Sequence, residues 1–183
     1  MEYGIDEVGR GCLFGPVVSS CVSLPYDIEL HPKLMDSKKL SPKNRIIVSE
    51  WIKENCIEYA IAESSVEEID SINILQATML SMHRCIEKLQ HKPTKLLIDG
   101  NYFLNKTDIP YQTIIKGDSL IPSISAASII AKVYRDSMML ELSKKYDKWD
   151  IESNMGYGTK KHIEGIRGYG YSDMHRKTFK IKL

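Results

Sequence analysis

Short segments of alternating or continuous apolar residues predict five β-strands. Residues 2–8 alternate polar and apolar positions, and residues 16–24 are rich in β-branched side chains, which is typical of strands. The glycines of Gly9-Arg10-Gly11 interrupt this pattern, so we expect the two strands to pair as a hairpin across a turn. Three further apolar segments predict the remaining strands, at residues 57–63, 95–99 and 112–116.

Helical signals separate the later strands. Ser41 followed by Pro42 is the pattern of a helix N-terminus, because serine caps free N–H groups and proline tolerates the first helical position. This helix is predicted to continue to about Asn55, with a buried face made of Ile46, Ile47, Trp51 and Ile52. Further helices are predicted at about 73–90, 122–146 and 159–167, after a short helical turn at 67–70. Strands that come first and then alternate with helices predict an α/β fold with a mixed sheet and a helical C-terminal part.

Composition places the chain among globular proteins. It has 183 residues, of which 43% are hydrophobic and 27% charged, and this is enough for one ordinary domain. We therefore expect a single domain over 1–183, in which residues 147–183 form a helical and irregular substrate-binding part. The absence of a long apolar run or a signal peptide predicts a cytoplasmic protein that does not enter a membrane. Four widely spaced cysteines predict reduced thiols, without disulfides or a zinc site.

Basic residues are concentrated near the C-terminus. Residues 160–183 include seven lysines and arginines but only two acids, whereas the whole chain has a net charge of +1. A basic segment of this kind suits binding to a phosphate backbone, and the alternative is a solvated surface. We expect that removal of the residues after Tyr171 weakens substrate binding and leaves the chemical step nearly unchanged.

Acidic residues stand at the ends of three predicted strands, each next to a glycine. Asp6 and Glu7 end the first strand, Asp99 ends the fourth, and Asp118 follows the fifth. Four carboxylates in one crevice repel one another unless a cation lies among them or some bind protons. Oxygen ligands of this kind suit Mg²⁺, and two such ions can promote hydrolysis of a phosphodiester. The alternative is that each acid is only a turn former or a helix cap.

Several short motifs cover nearly the whole chain in a defined order. They are Gly4-Ile5-Asp6-Glu7-Val8-Gly9-Arg10-Gly11, Asp36-Ser37-Lys38-Lys39-Leu40, Leu97-Ile98-Asp99-Gly100, Lys116-Gly117-Asp118-Ser119, and Asn154-Met155-Gly156-Tyr157-Gly158-Thr159. In this order they resemble the type 2 ribonucleases H, the ribonuclease HII family. The resemblance implies a ribonuclease H-like mixed β-sheet flanked by helices. It also implies a metal-dependent endonuclease that cuts the RNA strand of RNA–DNA hybrids, and cuts 5′ to ribonucleotides embedded in duplex DNA.

The resemblance also implies roles for individual residues. The metal-binding catalytic acids would be Asp6, Glu7, Asp99 and Asp118, with two Mg²⁺ or Mn²⁺ ions and products ending in 3′-hydroxyl and 5′-phosphate. The residues that read the 2′-hydroxyl would be Gly9, Arg10 and Gly11. Tyr157 would stack on the sugar after the ribonucleotide, and Lys38 and Lys39 would contact phosphates. Cys12 and Phe14 depart from the usual pattern, and Phe14-Gly15-Pro16 is similar to ribonuclease HIII.

Other functions fit the sequence less well. A non-catalytic nucleic-acid-binding module of the same fold has no need of four acids, and a glycosidase would have more aromatic residues for sugar stacking than two Trp and three Phe. The histidines show no pairing at metal-ligand spacing, and Ser125 and Ser128 are expected to be small helix-packing residues. We expect a monomer whose partner is the nucleic-acid substrate.

Overall fold

The computed structural model describes residues 1–34 and 40–181. It contains one sheet with the strand order β3-β2-β1-β4-β5. The strands are β1 Glu2–Val8, β2 Val17–Ser23, β3 Glu58–Ser64, β4 Lys95–Asp99 and β5 Tyr111–Ile114. β2 is antiparallel to β1 and to β3, whereas β1, β4 and β5 are parallel neighbours. The predicted hairpin and the predicted mixed sheet are therefore both confirmed.

The helices follow the predicted positions closely. They are α1 Pro42–Asn55, α2 Val66–Glu87, α3 Pro122–Ser143, α4 Ile151–Asn154 and α5 Lys160–Tyr169, with short 3₁₀ turns at Gly117–Ser119 and Asp147–Trp149. α2 is interrupted at Asn73, which has a φ of 69° and a ψ of 164°. The Asn73 side chain accepts a hydrogen bond from the backbone N–H of Gln76 at 3.1 Å and so caps the second part of the helix. In the described part of the chain, no helix is long and apolar enough to cross a membrane.

The predicted buried face of α1 was partly wrong. Ile46 and Ile47 are 54% and 51% exposed, whereas Val48 and Ile52 are fully buried. Residues four apart lie on the same helix face, so burying Val48 and Ile52 against α3 turns residues 46 and 47 toward solvent. Apolar periodicity alone did not distinguish the stripe with Ile46 and Ile47 from the stripe with Val48 and Ile52.

The sheet separates two apolar cores. α2 covers one face, in a core that includes Tyr3, Ile5, Met82 and Leu96. α1 and α3 cover the other face, in a core that includes Val22, Val48, Ala126 and Ile130. α3 approaches β1 so closely that a Cβ at Gly4 would lie 2.2 Å from the backbone carbon of Ser123. This close packing places the N-terminal end of α3 directly against β1.

A third core joins the C-terminal part to the turn after β1. It is centred on Phe14, Met139, Tyr146 and Ile151. Phe14 is completely buried and forms an isolated antiparallel bridge with His175. The unusual Phe14 is therefore a core residue that anchors the end of the chain. All four cysteines are free, as predicted, and three of them are buried.

Candidate active site

A cavity of about 410 Å³ opens where β1 and β4 end. These strands are parallel, so their carboxyl ends meet at one edge of the sheet. The lining includes three predicted acids, the predicted glycine-rich turn and the predicted tyrosine: Asp6, Glu7, Asp99, Gly9, Arg10, Gly11 and Tyr157. Thus seven of the predicted site residues, from three distant segments, face one space.

Asp6 is the most buried of the acids that line the cavity. Only 5% of the residue is exposed, and its Oδ1 accepts a hydrogen bond from the Glu7 backbone N–H at 2.8 Å. The pKa of Asp6 is raised well above its ordinary value, first by burial and then by the negative charges of Glu7 and Asp99. A hydrogen bond from the Ser128 hydroxyl opposes this shift. The site is therefore electrostatically unfavourable for a carboxylate without a compensating positive charge.

Glu7 has a basic neighbour that Asp6 lacks. Burial raises the pKa of Glu7, whereas the Arg10 guanidinium lowers it. Nη1 of Arg10 lies 3.3 Å from Oε1 of Glu7, and the Arg10 side chain is 47% exposed. An ion pair this exposed is weak, so Arg10 remains available to contact another anion at the mouth of the cavity.

Asp118 is joined to the other acids through Asp99. Its backbone N–H donates to Oδ1 of Asp99 at 3.3 Å, and the residue is only 1% exposed. The tight packing of its neighbour Gly117 explains this position, since a Cβ there would lie 2.6 Å from Cδ1 of Ile124. Asp118 is not among the residues that line the cavity. It lies at the same sheet edge but deeper than Asp6, Glu7 and Asp99.

The chemistry of this donor set fits a hard divalent cation. Carboxylate oxygens are the protein ligands that Mg²⁺ and Mn²⁺ prefer, and a cation would relieve the repulsion among the acids. Within residues 1–34 and 40–181, no group of three or more His, Cys, Asp or Glu side chains is arranged so that it could hold a metal ion by itself. The arrangement therefore fits an ion bound by one or two carboxylates, with other oxygens supplied by water and substrate.

The Gly9-Arg10-Gly11 turn has one packed side and one open side. Gly9 has a φ of +91°, and a Cβ there would lie 2.3 Å from Nε of Arg135. Gly11, in contrast, has no atom within 4 Å of its Cβ position. The first glycine lets the turn pack against the protein, and the second leaves the backbone accessible from the cavity.

Tyr157 faces the same cavity from the C-terminal part. It is 40% exposed, and Nζ of Lys132 lies 5.8 Å from the ring centroid. Its hydroxyl is within hydrogen-bonding reach of the thiol of Cys12, and burial raises the pKa of both groups. The unusual Cys12 thus packs between the turn and Tyr157.

Known proteins are similar to this chain in sequence and in fold. The family model described as Ribonuclease HII matches residues 3–182. The chain belongs to the ribonuclease HII family. The ribonuclease HII of Bacteroides fragilis is 48% identical over 181 residues, which cover 99% of this chain and 90% of that protein. The resemblance seen in the motifs is therefore confirmed, and the chain is an endoribonuclease, a hydrolase that cleaves the RNA strand of RNA–DNA hybrids.

Two solved structures show the ribonuclease H-like fold. RNase HII from Archaeoglobus fulgidus, solved in a complex with PCNA, has a TM-score of 0.82 at 25% identity and covers 100% of this chain and 96% of that one. Bst-RNase HIII, solved in complex with Mn²⁺, has a TM-score of 0.67 at 20% identity and covers 92% of this chain and 62% of that one. Ribonucleases H are metal-dependent enzymes, which agrees with the donor set described above.

Two buried arginines hold the turn of this ribonuclease HII in place. Arg135 is fully buried and donates hydrogen bonds to the carbonyls of Phe14, Pro16 and Met155 at 2.9, 3.1 and 2.7 Å. Arg176 is 1% exposed and donates to the carbonyls of Gly9, Arg10 and Gly15 at 2.7, 2.9 and 2.9 Å. Burial lowers the pKa of Arg176 to about 10. Both guanidiniums bind backbone, so the turn is built around them.

Arg176 does not have the role in phosphate binding that we expected of the basic residues in 160–183. Arg176 and His175 are buried, and the Arg176 guanidinium donates its hydrogen bonds to backbone carbonyls of the protein itself. A positive charge in a sequence is normally a surface charge, and nothing in the spacing of residues 160–183 marks Arg176 as an exception. Arg135 did carry a signal, because it shares a face of α3 with the buried Ala131 and Met139.

Three residues at the cavity were missed or misread. Arg45 and Lys132 line it, and each forms an ion pair with Asp136, at 3.5 and 2.7 Å. Ser128, expected to be a packing residue, lines the cavity and donates to Asp6. Ser128 and Lys132 are four residues apart on α3, and this shared polar face was the available signal. Lys38 and Lys39, predicted to contact phosphates, lie outside the described residues.

Proposed function

We propose that four acidic side chains bind two divalent cations, Mg²⁺ or Mn²⁺, during catalysis by this ribonuclease HII: Asp6, Glu7, Asp99 and Asp118. The observation that carries this proposal is the convergence of Asp6, Glu7 and Asp99 on one cavity, where burial and then the charges of Glu7 and Asp99 raise the pKa of Asp6. When bound, such ions activate a water and stabilise the leaving oxygen of the phosphodiester. The predicted products are a 3′-hydroxyl and a 5′-phosphate.

The protein's own residues orient the carboxylates before any substrate arrives. The Ser128 hydroxyl and the Glu7 backbone N–H both donate to Asp6. The Asp118 backbone N–H donates to Asp99. These bonds limit rotation of the two carboxyl groups, so the acids would present their oxygens to the cavity with little reorganisation.

Recognition of ribose would take place at the Gly9-Arg10-Gly11 turn and Tyr157, which line the same cavity. The open backbone at Gly11 allows a sugar to approach, and the 2′-hydroxyl can both donate to and accept from peptide groups. Tyr157 would contact the next sugar, where a deoxyribose packs against a ring more closely than a ribose does. Both elements line the cavity that holds the acids, which supports cleavage 5′ to a ribonucleotide embedded in duplex DNA as well as cleavage of hybrids.

Basic groups at the rim would bind the backbone of the substrate. Arg45 and Lys132 line the cavity, and Lys38 and Lys39 remain predicted phosphate contacts. We also propose that residues 1–183 act as one domain and as a monomer. The Archaeoglobus fulgidus relative was solved in a complex with PCNA, so PCNA is a candidate protein partner to be tested by co-purification.

One cleavage experiment tests this function. Labelled substrates should include an RNA–DNA hybrid, a DNA duplex with one ribonucleotide, and an all-DNA duplex, each with Mg²⁺, Mn²⁺ or EDTA. We expect cleavage of the first two substrates with either metal, and mapped ends that carry 3′-hydroxyl and 5′-phosphate. Cleavage in EDTA would contradict the metal assignment, and cleavage of the hybrid alone would contradict the junction assignment.

A further inference from the structure

Two histidines from distant segments form a buried pair next to Tyr157. His162 lies in the first turn of α5, and His175 lies in the segment after it; both are completely buried. Their Nε2 atoms are 3.1 Å apart. The spacing of the histidines along the chain gave no sign of a pair, but the fold brings these two together. The pair lies outside the acidic site.

The direction of every hydrogen bond in this pair can be derived from one backbone group. The Ser172 backbone N–H can only donate, and it lies 2.9 Å from Nδ1 of His175. A neutral imidazole that accepts at one nitrogen donates at the other, so Nε2–H of His175 donates to Nε2 of His162. His162 must then carry its proton on Nδ1, which donates to the Tyr157 carbonyl at 2.8 Å.

The surroundings of the pair favour two neutral rings. Aromatic rings enclose His175, with Phe14 and Trp149 centroids both at 5.2 Å and Tyr171 at 5.6 Å. Burial lowers the pKa of His175 to about 4 and also lowers that of His162. Asp173 and Asp150 oppose these shifts, but more weakly than burial. An added proton would have to occupy a nitrogen that now accepts a hydrogen bond.

Tyr157 needs such an anchor because its neighbours are permissive. It lies between Gly156, which has a φ of +90°, and Gly158. Its own N–H donates to Asn154 at 2.9 Å, and its carbonyl accepts from Thr159 and from His162. Arg135 also holds this turn through the Met155 carbonyl, and the His162 contact links the Tyr157 carbonyl itself to the buried histidine pair.

We propose that His162 and His175 are positioning residues, which act through a one-directional hydrogen-bond chain from Ser172 to the Tyr157 carbonyl and set the angle of the Tyr157 ring at the cavity. The proposal rests on the function proposed above for Tyr157. It assigns two histidines to substrate discrimination without any contact between them and the substrate.

Nitrogen NMR tests the chain without any substrate. In uniformly ¹⁵N-labelled protein, long-range ¹H–¹⁵N spectra distinguish the two imidazole tautomers and the protonated form. We expect His162 protonated on Nδ1 only and His175 on Nε2 only, both at pH 7 and at pH 5.5. The opposite tautomer for either ring, or an imidazolium at pH 7, would overturn the proposal.

A matched pair of substitutions tests the positioning role. His162→Asn keeps a donor near the place of Nδ1, whereas His162→Gln keeps only a group near Nε2. We expect His162→Gln to lower the ratio of kcat/KM for an embedded ribonucleotide to that for a long hybrid by about fivefold, from the loss of one hydrogen bond. His162→Asn should keep the ratio within about twofold of the unsubstituted protein.

His83 provides the control for removal of a buried imidazole. It is also buried and bonded to a backbone carbonyl, that of Leu104 at 2.8 Å, so His83→Gln should leave the ratio unchanged. An equal loss on both substrates in His162→Gln would indicate a purely structural role and refute positioning. If Tyr157→Ala leaves the ratio unchanged, the proposed function of Tyr157 fails and the positioning role fails with it. If only Tyr157→Ala lowers the ratio, the positioning role alone fails.

Discussion

The two walls of the cavity are built in different ways. The acidic wall comes from strand ends, and part of its order is local: Asp6 bonds to the next residue along the chain, and Asp118 lies in the turn after β5. The wall with the Gly9-Arg10-Gly11 turn and Tyr157 depends on side chains far away in sequence, since Arg176 reaches Gly9 across 167 positions. The acidic wall is thus supplied by the sheet, and the turn wall by tertiary contacts. Substitutions should separate a wall responsible for chemistry from a wall responsible for stability and selectivity.

The largest expected effect is the loss of catalysis from the acidic wall without loss of the fold. Asp99→Asn should lower kcat by at least about 1,000-fold with Mg²⁺, because an amide is a poor ligand for a hard cation. The urea unfolding midpoint should change little. The exposed Asp108, on the loop before β5, provides the control as Asp108→Asn, which should keep full activity. Activity of Asp99→Asn within threefold of the unsubstituted enzyme would contradict the metal assignment.

Substitutions in the turn wall should reduce the stability of the fold. Arg176→Met removes the three hydrogen bonds that the buried guanidinium donates to backbone carbonyls, and should lower the free energy of unfolding by about 3–5 kcal/mol. Lys177→Met is the matched control, because the neighbouring lysine is exposed and should change stability by less than about 0.5 kcal/mol. Chemical denaturation at pH 7 measures both values. Equal stability of the two variants would mean that the carbonyl contacts of Arg176 contribute nothing.

Selectivity should respond to Tyr157 more than to any neighbouring aromatic residue. Tyr157→Ala should lower cleavage at a single embedded ribonucleotide about tenfold more than cleavage of a long hybrid, by analogy with aromatic stacking on nucleic acids. Tyr157→Phe keeps the ring and should retain selectivity. Tyr169→Ala, at a more exposed tyrosine of the same C-terminal part, is the control. Parallel loss on both substrates would remove Tyr157 from junction recognition.

The smallest effect concerns pH and again belongs to the turn wall. The unfolded chain binds a proton at His175 below about pH 6.5, whereas the folded protein does so only near the lowered pKa of about 4. Stability should therefore fall as the pH falls through this window, by up to about 1.4 kcal/mol per pH unit from this group. Urea titrations at pH 7 and 5.5 measure the fall, and His175→Gln should flatten it. An unchanged slope in that variant would assign the pH dependence to other groups.

The part of this molecule that sequence could predict is the part with local causes. Alternation identified β1, and glycines beside Asp6 and Asp99 placed the acids at strand ends before any coordinates. The predicted start of a helix at residue 73 was correct, because the Asn73 side chain caps the second part of α2 through a bond only three residues away. The burial predicted for Ile46 and Ile47 was wrong, because α1 has two apolar stripes and the one with Val48 and Ile52 faces the core.

The unpredicted part depends on contacts that no spacing encodes. Arginine is normally a surface residue. The burial of Arg176 is favourable only because three backbone carbonyls accept its hydrogen bonds. His162 and His175 are 13 positions apart and meet because α5 ends and the chain turns back. Ser128 was assigned to packing, since its partner Asp6 lies on a strand that sequence analysis treats separately.

The reach of Arg176 has a consequence for synthesis of the protein on the ribosome. β1 and its acids emerge early, but the carbonyls of Gly9 and Arg10 can accept from the Arg176 guanidinium only after residue 176 has been added. Contacts of such long sequence separation form late. A growing chain therefore holds its acidic residues while the turn proposed to read the ribose still lacks its contacts with Arg176. These contacts can form only after all five strands of the sheet have emerged.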